Sequence, residues 1–286
     1  MLKSTMTIRR GFVDVPDGQV HFREAGRGNA LPLILLHPSP GSGKMLCQLL
    51  LEMAKTRRTI ALDARGNGDS TPLSISDPEI ADFAVATLEA LDALGIREFD
   101  LFGSHTGASI ATESAILAPD RVRHLIIDSM GLWDANRQTE HLAKNSPTVA
   151  PDLMGTQFSW AWHYCRDQYL FSPWYERTAA ARRTIGLPPP EVLHDLVVEV
   201  LKALGTYHMS YRAAARYPKR DRLPLISVPT MVSSCPTDML VRYLDEVAGL
   251  VPSAQRAVVE DPETADGAAV AAKIYAQFLS DRPRLR

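Results

Sequence analysis

The chain has 286 residues, 45% of them hydrophobic and 22% charged, enough for one large core with an insertion or for two small domains. Its formal net charge is -2 with both signs interspersed, which excludes a basic stripe for nucleic acid, and no apolar run approaches the roughly 18 residues of a membrane span. Three widely spaced cysteines, Cys47, Cys165 and Cys235, indicate neither a disulfide framework nor a thiolate metal site, and with no long apolar leader the expectation is a soluble cytoplasmic protein.

Residues 8–15 and 19–25 read as short strands about the turn Asp17-Gly18. Residues 32–36 are a continuous apolar strand, suited to a sheet covered on both faces. A helix is expected from about Lys44 to Lys55, then a strand at 59–63 and the loop 64–72, where Asp63 and Arg65 read as a turn-stabilising ion pair. Residues 78–94 carry apolar side chains at helical spacing, with Asp77 as N-cap, Pro78 at the first position and Gly95 as the stop. A strand at 98–102 leads through a tight turn into a helix over 107–117, and a further strand at 123–127 ends at Asp128.

The strand rhythm stops between about 131 and 222, a stretch that holds all four tryptophans and a proline cluster at 188–190. It reads as several helices, the clearest over 191–204. Alternation resumes with a strand at 225–232, a helix at 237–248, a strand at 255–259 and a helix at 267–279. The order describes a mainly parallel α/β core in two parts, 1–130 and 223–286, interrupted by a helical cap at 131–222.

Several segments carry a family resemblance in their order and spacing: Leu-Leu-His-Pro-Ser-Pro at 35–40, Leu-Asp-Ala-Arg-Gly-Asn-Gly-Asp-Ser at 62–70, Leu-Asp-Ala-Leu-Gly at 91–95, Gly-Ser-His-Thr-Gly-Ala at 103–108, Ala-Pro-Asp-Arg-Val-Arg-His-Leu-Ile-Ile-Asp at 118–128 and Val-Pro-Thr-Met-Val followed by Asp238. On these the chain resembles the α/β-hydrolases, in the cap-bearing subgroup that includes epoxide hydrolases, haloalkane dehalogenases and carbon–carbon bond hydrolases. The resemblance implies an eight-stranded, mainly parallel sheet with helices on both faces. It places the nucleophile position of the G-x-S-x-G elbow on His105. It places the acid on Asp238 or on Asp128, and the oxyanion-hole N–H groups on Thr106 and Ser39, since Pro38 has no N–H. The partner histidine of such sites falls near 260–266, where this chain reads Glu-Asp-Pro-Glu-Thr-Ala-Asp; its last histidine is His208, in the cap.

An imidazole at the elbow tip suits proton transfer near neutral pH, with a carboxylate behind it to orient the ring. Ser104 should point away from His105 by strand alternation. His37 reads as a structural histidine bonding the oxyanion loop, with direct proton transfer as the alternative; Ser39 and Ser42 either touch substrate or cap a turn. In the cap, Trp160, His163 and Asp167 share one helix face and Tyr164 a neighbouring one, so that some aromatics form the lid's own core and others wall a pocket. His208 is the candidate replacement base. No cofactor and no metal are indicated, because no histidines stand at ligand spacing. The reading is a cofactor-independent enzyme acting on a small aromatic or alicyclic carbonyl compound. The alternatives are an inactive ligand binder and an interaction protein, for instance a homodimer through the cap.

Overall fold

The computed structural model describes residues 6–280. The ends of the expected core segments 1–130 and 223–286 beyond those limits lie outside the described residues. The core strands are β1 (Arg9–Val15), β2 (Gly18–Ala25), β3 (Leu33–Leu36), β4 (Thr59–Leu62), β5 (Phe99–Ser104), β6 (Val122–Asp128), β7 (Thr230–Ser234) and β8 (Gln255–Val258). They form one eight-stranded sheet in the order β1-β2-β4-β3-β5-β6-β7-β8. The two pairings of β2 are antiparallel, and every pairing from β4 across to β8 is parallel.

Every residue of β3, β4, β5 and β7 is buried, which is why these strands read as unbroken apolar runs rather than alternating ones. The helices that cover them are α1 (Cys47–Met53), α2 (Ile80–Ala93) and α3 (Thr106–Leu117). After β6 come the insertion helices α4 (Ala135–Glu140), α5 (Thr156–Leu170), α6 (Pro190–Lys202), α7 (Tyr207–Arg216) and α8 (Lys219–Arg222), and after β7 the core helices α9 (Leu244–Leu250) and α10 (Ala265–Ser280). Ile34, Leu101, Leu125 and Ile127 pack on one side against α2, α3 and α9; Leu33, Leu35, Phe102 and Ile126 pack on the other against α1 and α10. The cap has a core of its own, built from Ala161, Tyr164 and Cys165 of α5, Leu193 and Val200 of α6, and Tyr207 of α7. No helix among the described residues is long and apolar enough to cross a membrane.

Element boundaries move where local chemistry outweighs apolar spacing. Helix α2 starts at Ile80 rather than Pro78: Glu79 is the N-cap of a capping box in which its own N–H donates to Asp82 Oδ2 at 2.8 Å. Asp77 instead pairs with Arg216 of the cap at 2.9 Å. The strand expected at 225–232 begins only at Thr230, because Leu223–Leu225 closes into a 3-10 turn and Pro229 has no N–H for the ladder. Asp63 and Arg65 do not pair with each other. Asp63 accepts from His21 Nδ1 at 2.9 Å, Arg23 Nη1 at 2.8 Å, Gly43 N at 2.8 Å and Asp69 N at 3.1 Å, while Arg65 pairs with Asp17 at 2.6 Å. Burial works against the Asp63 charge, but His21 and Arg23 outweigh it and hold the carboxyl at about 2. His21, Asp63 and Asp69 are close enough to surround a cation, yet four donors already occupy the Asp63 oxygens.

The site is positioned by the turn from β5 to α3, which is accomplished by one residue, His105, at φ 52° and ψ -108°. That backbone is sterically unfavourable for a residue with a Cβ and persists only where the surroundings impose it. The flanking glycines make the turn fit: a Cβ on Gly103 would lie 2.1 Å from Gly107 O, and one on Gly107 would lie 2.2 Å from Leu36 O. Both obstacles are backbone and cannot rotate away. Gly107→Ala is therefore expected to cost about 3 kcal/mol or more in urea unfolding, whereas Gly249→Ala, which meets nothing within 4 Å, should be neutral or stabilising by under about 1 kcal/mol.

Candidate active site

His105 lies beneath the cap at the edge of a cavity of about 290 Å³. Its Nε2–H donates to Asp238 Oδ2 at 2.8 Å, from the loop after β7. The other Asp238 oxygen accepts the Leu240 N–H at 2.7 Å, so the carboxylate is fixed from two sides. Nδ1 of His105 has no partner among the described residues and is not sealed from solvent, which leaves it open to the cavity. The imidazole side chain is 32% exposed.

Asp128 occupies a different place. It lies under the elbow, where its Oδ2 accepts from Ser104 Oγ at 3.0 Å and its Oδ1 from Ser233 Oγ at 2.8 Å, with Tyr275 Oη at 3.4 Å. Its backbone carbonyl accepts the His105 N–H at 3.0 Å. The carboxylate that orients the ring is thus Asp238, and Asp128 anchors the turn. Ser104, at 3% exposure, is committed to Asp128 and sits one residue before the tip.

Ser39 and Thr106 both border the cavity, and neither N–H has a hydrogen-bond partner among the described residues. The Thr106 N–H is one of the orphan donors of the first turn of α3. The Ser39 hydroxyl meets Ser210 Oγ of the cap at 2.9 Å, which ties this loop to α7. Two unpaired N–H groups beside an imidazole can hold an oxygen on which negative charge develops.

His37, Ser42, Trp160, His163, Tyr164 and His208, expected to line the pocket, do not border this cavity. His37 donates from Nδ1 to Pro38 O at 2.7 Å and accepts the Ala64 N–H on Nε2 at 3.0 Å, so both ring nitrogens are spent on the loop. Burial lowers its pKa, in keeping with a neutral ring. Ser42 caps the 3-10 turn after it by accepting the Lys44 N–H at 3.1 Å. Trp160 stacks on Tyr164 at 4.7 Å, and both pack with Tyr207 in the cap core. His163 and His208 each leave a buried Nδ1 unpaired away from the cavity. The aromatic wall comes instead from Trp133, Tyr169, Phe171, Trp174, Tyr175 and Tyr211.

The segment 260–266, set apart in sequence only by the histidine it lacks, delivers two carboxyl groups to the same cavity, Asp261 and Glu263. Burial, reinforced by Asp261, pushes Glu263 up to about 8, and burial with the Asp238 charge raises Asp261. Burial also raises Asp128 to about 6 against the pull of its hydroxyl donors. For His105, burial disfavours the charged ring, but Asp238, through its charge and its hydrogen bond, and then Asp128 and Glu263 outweigh it and raise the pKa to about 9. At neutral pH the pair is an imidazolium bound to a carboxylate.

A family model describing the alpha/beta hydrolase fold matches residues 32–263. A proline iminopeptidase from Heyndrickxia coagulans is 28% identical over 134 residues, 45% of this chain and 46% of that protein, so the chain matches under half the length of this curated relative. Among solved structures, an enol-lactonase from Burkholderia xenovorans LB400 superposes with a TM-score of 0.70 at 17% identity, covering 95% of this chain and 100% of that one. An epoxide hydrolase from an endophytic Streptomyces gives 0.72 at 19% identity, covering 95% of each chain.

The raised His105 pKa has a direct test. Proton NMR of the imidazole should show titration near 9, and Asp238→Asn should shift the midpoint down by removing the two main upward causes. The sign for stability follows: the pair contributes fully below the ordinary histidine value of 6.5 and its contribution fades as pH rises through about 9. A native midpoint at or below 6.5 would contradict the pairing.

Proposed function

Because the chain belongs to the α/β-hydrolase fold family, we propose that it is an enzyme of that family whose central catalytic group is His105, acting as general acid/base on a small aromatic or alicyclic carbonyl compound. The observation that carries this reading is the 2.8 Å bond from His105 Nε2 to Asp238, with Nδ1 left open to a cavity that also holds two unpaired N–H groups. The substrate's carbonyl oxygen sits against the N–H groups of Ser39 and Thr106. Nδ1 of the imidazolium then gives its proton to the leaving atom of the substrate, the one that keeps the electron pair of the breaking bond, or to the carbon of an enolate held by those donors. The ring ends neutral, still bonded to Asp238, and regains its proton from water.

This chemistry uses no cofactor and no metal. A pKa of about 9 makes His105 a proton donor in its resting state, which favours lyase, isomerase or ketonisation steps over attack by an imidazole-activated water. Hydrolysis of a reactive ester, lactone or carbon–carbon bond follows where proton delivery opens the way to water. The reading places the enzyme in the cytoplasm, alone or as a homodimer, with a small-molecule substrate and no nucleic-acid partner. The competing reading, a ligand binder that has given up catalysis, rests on the absence of a histidine from 260–266.

Aromatic esters, lactones and β-diketones offered to the native chain and to His105→Ala separate the two. The expected result is turnover by the native protein and a loss of about 10²–10⁴-fold in kcat/KM in the variant. Above about pH 9 the native rate should fall as the ring loses its proton; a rate that climbs toward pH 9 would make His105 a base. Turnover that survives His105→Ala, or organophosphate labelling of Ser104, would overturn the assignment.

A further inference from the structure

The cavity has two electrically distinct ends. Around His105 stand Asp238, Asp128, Asp261 and Glu263, with Arg183, bonded to the carbonyls of Gln168 and Thr237, near Asp238; at the cap end the cavity is bordered by Lys219, the first residue of α8. Lys219 Nζ donates to the Ala214 carbonyl and lies 5.3 Å from the Trp133 ring centroid and 6.0 Å from that of Tyr217. An ammonium has three donors, and no carboxylate lies within ion-pair distance of this one among the described residues. Burial alone lowers its pKa, to about 8, so the acidic groups at the elbow do not reach it.

The neighbours of Lys219 reinforce the same sign. His141 is sandwiched between Trp133, at 3.9 Å, and Tyr211, stacked at 5.0 Å with planes 5° apart. Burial, then the charges of Lys219 and Arg137, keep this ring neutral. Its Nε2 accepts from Asn145 Nδ2 at 3.3 Å, which puts the ring proton on Nδ1, and that N–H has no partner among the described residues. Arg137 borders the cavity as well, though it shares its charge with Glu140 at 3.3 Å.

Lys219 is also held in place relative to the elbow. On one side of it in sequence, Tyr217 Oη donates to Glu113 Oε2 at 2.7 Å, and on the other Arg222 Nη2 donates to Glu113 Oε1 at 2.7 Å. Glu113 belongs to α3, the helix that His105 opens. A cation without a carboxylate partner, partly buried among aromatic rings and flanked by residues tied to α3, marks a place for an anion.

We propose that Lys219, with the Nδ1–H of His141 beside it, binds a carboxylate of the substrate, so that the compound is an organic acid whose aromatic or alicyclic body spans the cavity from that anchor to a carbonyl at Ser39 and Thr106. The proposal deepens the reading of the same site given above. Nothing forms or breaks at Lys219, which makes it a positioning residue.

Calorimetric titration of the full chain with 3-phenylpropanoate and with its neutral amide tests the anchor without turnover. The acid should bind the native protein about tenfold or more tighter than the amide, the usual worth of a charge-assisted bond in a desolvated site. Lys219→Met should erase that preference, Lys219→Arg should keep most of it, and His105→Ala should leave it in place. Equal binding of the two compounds, binding of neither, or a preference that persists in a folded Lys219→Met protein would overturn the anchor. A failure of the catalytic reading shows separately, as native turnover that His105→Ala does not touch.

Discussion

The site depends on the hydrogen bond from the His105 N–H to the Asp128 carbonyl, 3.0 Å long, and on the carboxylate of the same aspartate below it. A β-strand passing into a helix through one residue at φ 52° has no local reason to stay there. Strands β5 and β6 impose it, because Ser104 is in register with Asp128 and is bonded to it through side chains as well. The cost falls on Asp128, which is 2% exposed and receives hydroxyl groups where a cation would have compensated its charge better. Its pKa of about 6 records that cost.

With the backbone so held, the ring has little choice of partner. Asp238 comes from the loop after β7, next to β6 in the sheet, and meets Nε2. The protonation of Asp261 and Glu263 then follows from burial and charge. An imidazolium raised to about 9 can coexist with an ionised Asp238, but three further carboxyl groups in the same low-dielectric cavity cannot all ionise. Glu263 yields, keeping its proton to about pH 8. The loop before α10 thus carries carboxyl groups, and the imidazole of the site stands at the elbow.

Much of the fold was legible in the sequence because its determinants are local. Unbroken apolar runs mark strands covered on both sides, and Gly103 and Gly107 mark a backbone approach that no other residue permits. The resemblance offered Asp238 and Asp128 alike as partners of His105, each by its position after a strand, and the bond to Nε2 falls to Asp238. Other features depend on contacts between distant segments, which spacing does not encode. Asp63 stands two residues from Arg65 but finds His21 and Arg23 of β2 instead. The helical pattern of α5 left open whether its aromatics form the lid's own core or wall the pocket, and only the packing of α6 and α7 places Tyr164 and, partly buried, Trp160 in the cap core. Glu263 showed only as a missing histidine, since a carboxyl in a polar loop looks like solvent-exposed surface until the cavity closes over it.

The cap also supplies polarity, and polarity is what a cavity of about 290 Å³ needs in order to be selective. Apolar walls of this size discriminate poorly between bodies of similar shape, because a methylene more or less changes binding by only about 1–3 kcal/mol. Direction requires charge. One end carries carboxyl groups from the core loops, and the other carries Lys219, fastened by Tyr217 and Arg222 to Glu113 on the helix that bears the elbow. His105 opens α3 and Glu113 lies about two turns along it, so the elbow and the residues that flank Lys219 are both referred to one helix. A ligand long enough to touch both is aligned before any proton moves.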